Sequence, residues 1–188
     1  MSSEPKPDVP PASLARGPGL RVALLIALVG VAGSLWLSLG MGLKACPLCF
    51  YQRSFVMAAA GALVFGLGAR TADERRLAHA IATFATAAGL GVAIMHVSLE
   101  IGRVLECPKG LFGVGTAPQQ SLALLAILFG WLTAQARFGN GKRYAVAVVL
   151  GAVATWGCIA SAPAIAKAPA QPYADPLIIC RPPYVAAN

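Results

Sequence analysis

An all-α integral membrane protein is what this sequence predicts: a four-helix transmembrane bundle with a fifth transmembrane helix, N-terminus inside and C-terminus outside. Three observations carry that reading. Hydrophobic residues make up 57% of the 188 and charged residues 12%, against about 25% charged in an ordinary soluble domain, and the mean hydropathy is +0.70. The apolar residues come in blocks rather than at a strand or helix period, so no extended water-facing surface can be built from them. Five blocks reach or approach the roughly 20 residues that a helix needs to cross a bilayer: Leu20–Met41, Cys49–Ala69, Leu77–Leu99, Gln120–Ala136 and Tyr144–Ala162, none with an acidic side chain in its middle.

Before the first span, residues 1–19 are rich in Pro and Ser and are expected to form a disordered cytoplasmic tail. Residues 20–162 then form the bundle, with an external loop over 100–119, and 163–188 form an external Pro/Ala-rich tail. The connections RTADERR, between spans two and three, and RFGNGKR, between spans four and five, are short, charged and turn-like. Each therefore closes a tight hairpin. Small residues four apart, as in Ala62/Gly66 and Ala85/Gly89, let helices approach closely where lipid supplies no hydrophobic drive.

Sidedness follows from Lys and Arg near the span ends. With the N-terminus inside, the internal segments hold Lys6, Arg16, Arg21, Arg70, Arg75, Arg76, Arg137, Lys142 and Arg143. The external segments hold Lys44, Arg53, Arg103, Lys109, Lys167 and Arg181. The net charge of +8 is thus scattered between apolar runs. That distribution fits contact with membrane lipid and not a nucleic-acid footprint, which would gather cations on one face.

Span two opens on KACPLCFYQR, and here the pattern departs from that of a generic membrane helix. Proline is favoured at the first helical position, where its missing N–H costs nothing. Pro47 in that place makes Cys46 the cap and puts Cys49 in the first turn. A helix N-terminus favours negative charge, and thiols of C-x-x-C pairs commonly have lowered pKa values. Arg53, four residues on, shares the face of Cys49 and is expected to stabilise a thiolate there. Cys107 follows span three and Cys180 lies in the tail after span five, so under this topology four cysteines face one side. Cys158 sits just inside the outer end of span five and is read as a small buried hydrophobe. A zinc site would need two further ligands at close spacing, and covalent haem attachment would need His where Phe50 stands. Neither pattern is present, and no metal is expected. A structural disulfide at 46/49 stays open on these residues alone.

Together, Cys46-Pro47-Leu48-Cys49-Phe50-Tyr51-Gln52-Arg53, His96 near the outer end of span three and Cys107 in the next loop resemble the disulfide bond formation protein B (DsbB) family. The resemblance runs from about Leu20 to Arg137. It implies a thiol oxidase of the bacterial inner membrane that reoxidises a periplasmic DsbA-like protein and passes electrons through two cysteine pairs to a quinone, ubiquinone or menaquinone. Cys46 and Cys49 then resemble the quinone-proximal pair, with Cys49 meeting the ring, Arg53 polarising a quinone carbonyl and His96 near the ring. Family members carry a second pair together in the loop after span three, whereas ECPKGLFGVGTAPQ holds only Cys107. The expectation is that Cys180 supplies the partner, giving a Cys107–Cys180 exchange disulfide. A Pro/Ala-rich tail at about 3.1 Å per residue has the reach. Gly110, Gly113 and Gly115 are expected to let the Cys107 loop move. Two rivals stand beside this reading. A vitamin K epoxide reductase-like oxidase is disfavoured because its loop cysteines precede its C-x-x-C. A non-catalytic scaffold would use the cysteines only as staples.

Overall fold

The computed structural model describes residues 18–136, 141–169 and 171–184. The expected tail at 1–19 lies almost wholly outside these residues, as does much of the hairpin at 137–143. Among the described residues, five helices are long and apolar enough to cross a membrane: α1 (Pro18–Leu39), α2 (Pro47–Gly68), α3 (Ala72–Ile101), α4 (Ala117–Ala136) and α5 (Gly141–Ser161). Among the described residues there is no strand, only two isolated bridges, Glu106 with Arg181 and Lys109 with Thr116.

α1 packs on α2 and α4, while α3 packs on α2, α4 and α5. The first four helices therefore close a ring, and α5 lies outside it against α3. The core of the ring is built from small side chains: Ala23 and Ala27 of α1, Ala59 of α2, and Ala82 and Ala85 of α3. Leu63, Leu128 and Leu132 fill the space between them. Leu25, Val29 and Trp36 on α1 and Val149, Val153 and Trp156 on α5 point outward, as a lipid-facing surface requires. Buried hydroxyls are satisfied within the bundle. Thr83 and Thr86 donate to the carbonyls of His79 and Ala82, and Thr155 of α5 donates across to Ala88 of α3 at 3.1 Å.

One boundary differs from expectation for a clear reason. α3 begins at Ala72 rather than Leu77, so most of RTADERR is helix and not turn. Thr71 and Glu74 form a capping box: the Glu74 N–H donates to Thr71 Oγ1 at 3.2 Å, and Glu74 Oε2 accepts from the Thr71 N–H at 3.2 Å. Two donors that the helix start would leave orphaned are thereby paired. α4 likewise starts at Ala117 instead of Gln120.

The seat of α5 depends on Gly151. A Cβ there would lie 2.7 Å from Ala87 Cβ and 3.0 Å from the Phe84 carbonyl oxygen, whereas one at Gly157 would meet nothing. Gly151→Val is therefore expected to push α5 off α3 and to destabilise by about 1–3 kcal/mol, the usual cost of overpacking. Gly157→Ala serves as the neutral control. Thermal unfolding in detergent checks both.

Candidate active site

Cys46 caps α2 with extended backbone (φ −71°, ψ 165°), and its sulfur accepts the Cys49 N–H at 3.3 Å. Pro47 is the first helical residue, so this N–H belongs to the set of orphan donors that every helix start exposes. The Cys46 and Cys49 sulfurs lie 3.1 Å apart. Either thiol can donate to the other, and the N–H aimed at Cys46 makes that sulfur the better acceptor. The Cys46 thiol is accordingly pushed down to about 4. The hydrogen bond shared with Cys49 leads, burial opposes it, and His96 and the Cys49 N–H add to it.

His96 projects from α3 into the middle of the sulfur cluster and is fully buried. Its Nε2 lies 3.5 Å from the Cys107 sulfur and 3.8 Å from that of Cys46, and its Nδ1 lies 4.0 Å from that of Cys49. Gln52, also buried, donates from Nε2 to His96 Nδ1 at 3.1 Å and so fixes the ring's orientation.

Cys107 and Cys180 are joined in a disulfide across a separation of 73 residues. The tail is held there by more than sulfur. Lys44 N–H donates to the Ile178 carbonyl at 2.8 Å, and Glu106 and Arg181 exchange both backbone bonds at 2.8 and 3.0 Å. An Arg181–Glu106 ion pair at 3.3 Å adds to these. The Cys180 sulfur is thereby brought into a group with Cys46, Cys49 and His96 whose donor atoms all lie within 4.8 Å of one another. All four cysteines of the expected site stand at one end of the bundle, and the two pairs are adjacent.

Beside them opens a cavity of about 160 Å³, lined by Val29, Gly33 and Leu37 of α1, Cys49 and Val56 of α2, and Ser121 and Leu124 of α4. No residue of α5 lines it, so the fifth helix packs on the opposite side of the ring. Arg53 and Lys44 bring positive charge to a largely apolar wall. Arg53 shares the cavity wall with Cys49, as its place four residues on suggests, but its hydrogen bonds go to α1. Its Nε donates to Ser34 Oγ at 2.7 Å, and its Nη2 to the Ser34 carbonyl at 3.0 Å and to Ser38 Oγ at 2.6 Å. These bonds tether the guanidinium to α1 and leave Nη1 uncommitted.

Two further expectations gain detail. His96 stands between the two cysteine pairs, one layer behind the residues that line the cavity. The loop glycines also shape turns. Gly113 and Gly115 have φ of 71° and 59°, and Gln120 ties the loop to α4 through Leu111 N–H, Leu111 O and Val114 O at 2.7 to 2.9 Å. Cys158 is half-buried and packs against the cluster of Cys46, Leu48 and Val92. Gln52, Ser34 and Ser38 were given no part by sequence reasoning. The serines' four-residue spacing in an apolar span was a legible signal, whereas Gln52's contact with His96 was not.

The model of one protein family, disulfide bond formation protein DsbB, matches residues 18–123, a stretch that holds Cys46, Cys49, Arg53, His96 and Cys107 but not Cys180. A disulfide bond formation protein B of Xanthomonas campestris pv. campestris (strain 8004) is 35% identical over 91 residues, covering 44% of this chain and 52% of that protein. One of Xanthomonas euvesicatoria pv. vesicatoria (strain 85-10) is 34% identical over 89 residues, covering 43% and 51%. The matches span about half the length of these curated relatives. No solved structure gives a significant match.

Proposed function

Because this chain belongs to the disulfide bond formation protein DsbB family, we propose that it is a thiol:quinone oxidoreductase of the bacterial inner membrane. In this reading it reoxidises a periplasmic DsbA-like protein, with its reactive cysteines on the periplasmic side. The observation that carries this is the meeting of the two cysteine pairs at the wall of the cavity, with the Cys180, Cys46 and Cys49 sulfurs within 4.8 Å of one another.

A quinone fits the residues present. The cavity is mostly apolar and reaches the ring's lipid-facing side at Val29, and it is lined by two cysteines, Cys49 and the disulfide-bonded Cys180, and by one guanidinium with an uncommitted Nη1. When bound there, a quinone supplies a two-electron, two-proton acceptor.

The chain's own residues do the rest. A reduced partner's thiolate attacks the Cys107–Cys180 disulfide, so that one sulfur bonds to the partner and the other leaves with the electron pair. That thiolate attacks the Cys46–Cys49 disulfide, bonding to one sulfur and releasing the other. The partner's second thiol closes the partner's own disulfide, and the outer sulfur it frees displaces the inner one as Cys107–Cys180 closes again. Cys46 and Cys49 are left as dithiol. Cys49 faces the cavity and passes the electron pair outward, and Cys46, held as a thiolate by its cap position, closes the disulfide behind it. The Arg53 guanidinium, pre-set by Ser34 and Ser38, stabilises negative charge developing on an acceptor oxygen without reorganising.

Alkylation trapping in membranes tests the proposal. With quinone depleted and reduced DsbA-like protein supplied, Cys46 and Cys49 accumulate as free thiols, and restored quinone returns them to the disulfide. A redox state indifferent to quinone would instead make the chain a stapled scaffold.

A further inference from the structure

We propose that the fully reduced chain carries a Cys3His site for a soft metal ion such as Zn²⁺, built from Cys46, Cys49, Cys180 and His96. Their donor atoms lie within 4.8 Å of one another. Tetrahedral zinc, with Zn–S bonds of about 2.3 Å, holds its sulfurs roughly 3.8 Å apart. The Cys46 sulfur lies 3.1 Å from that of Cys49 and 3.8 Å from His96 Nε2, spacings of the same order. Small side-chain rotations complete the tetrahedron. No sequence spacing advertises the set, because its ligands come from the start of α2, the end of α3 and the tail.

Redox state opens and closes this site. With Cys180 bonded to Cys107, its sulfur is no thiolate and the set is one ligand short. A dithiol delivering two electrons and two protons converts that disulfide to two thiols, and metal binding then releases protons from the ligating thiols. Cys180 does not drift away on reduction, because Ile178 is bonded to Lys44, and Arg181 to Glu106, by contacts that involve no sulfur. Gln52 already holds the Nδ1 edge of His96. Its amide can turn its oxygen to an Nδ1–H, which orients the ring and leaves Nε2 for the metal, the role outer partners usually play at zinc sites.

Binding follows from sulfur geometry alone; its consequence rests on the oxidoreductase reading. Cys49 is the member of the inner pair that lines the cavity, so a metal held there takes away the thiol that hands electrons out. Zn²⁺ is then expected to inhibit turnover when the relay is reduced, and a saturating quinone to protect against it.

The full-length chain in detergent, without quinone or partner, provides the test. Dithiol-reduced protein titrated with Co²⁺ should bind one ion with the visible bands of tetrahedral thiolate coordination, reversed by Zn²⁺, while the oxidised chain takes up none. Cys107→Ser should keep the site and make it depend on reduction of Cys46–Cys49 alone, because Cys180 is then never held in the outer disulfide. Cys180→Ala and His96→Ala should each weaken binding beyond the roughly 10–100-fold that loss of an outer partner costs. Cys180 lies in the tail outside the bundle, so its variant keeps the test decisive if His96→Ala does not fold. Equal uptake by oxidised and reduced chains, an octahedral spectrum, or affinity unmoved in Cys180→Ala overturns the site. A chain that binds Co²⁺ as described yet never oxidises a thiol with quinone overturns the proposed function and leaves the site standing.

Discussion

Cys49→Ser membranes oxidise no more than one partner disulfide per chain and then stop. The Cys107–Cys180 disulfide is untouched by the substitution, so the first reduced DsbA-like molecule still finds it and leaves oxidised. Electrons then have no onward path, because a serine hydroxyl at position 49 cannot form a disulfide with Cys46, 3.1 Å away. The only sulfur on the cavity wall from the inner pair is also lost. Steady-state oxidation should fall by about 10³-fold or more, as it does when a covalent participant is removed. Quenching with acid and an alkylating agent, followed by counting partner disulfides per chain, separates the single burst from continued turnover. Sustained turnover would place the electron exit elsewhere, with Cys46 alone or with Cys158, and would remove Cys49 from its role.

The same residues show how far a sequence can be read. Pro47 announced the start of α2, and with it the cap position of Cys46, because local backbone chemistry decides both. The missing second loop cysteine, set beside the family resemblance, pointed to Cys180, because cysteine arithmetic is independent of distance along the chain. Thr71-x-x-Glu74 is an equally local signal, hidden among the charges around it, and it starts α3 earlier than expected. Arg53 illustrates the opposite limit. Helical spacing placed it on the face of Cys49, but its side chain is long enough to choose between a thiol on its own helix and two serines on α1, and the serines offer three acceptors at 2.6 to 3.0 Å. Spacing gives a residue's face, not its partner. The position of α5 was likewise unreadable. An apolar helix in lipid carries no polar face to orient it, and only close contacts such as those of Gly151 and Thr155 seat it on α3. His96 stood out as an ionisable residue within a span, a feature that leans toward function. That it touches both cysteine pairs depends on three segments converging.

Cys180→Ser should give a different defect from Cys49→Ser, and the contrast separates the way in from the way out. Without the Cys107–Cys180 disulfide, a folded partner has only Cys46–Cys49 to attack. Cys46 is 6% exposed, beneath a tail that Lys44, Glu106 and Arg181 keep in place through backbone bonds. A protein-sized thiol cannot reach it in line, and partner oxidation should drop by about 10²-fold or more, since thiol exchange depends on access to the attacked sulfur as well as on thiolate character. A small dithiol is not so restricted. Dithiothreitol should still be oxidised with quinone at a substantial rate in Cys180→Ser, because Cys46, Cys49 and the Arg53-tethered cavity are intact. In Cys49→Ser both activities are lost. Measuring the two substrates side by side in the two variants therefore fixes the order of the pairs. If Cys180→Ser lost both activities together, the tail would be needed for the inner pair itself, and the outer disulfide would be a clamp on the site rather than a step in the relay. If it lost neither, the partner would be reaching Cys46 directly, and the 73-residue link to Cys107 would have no part in electron transfer.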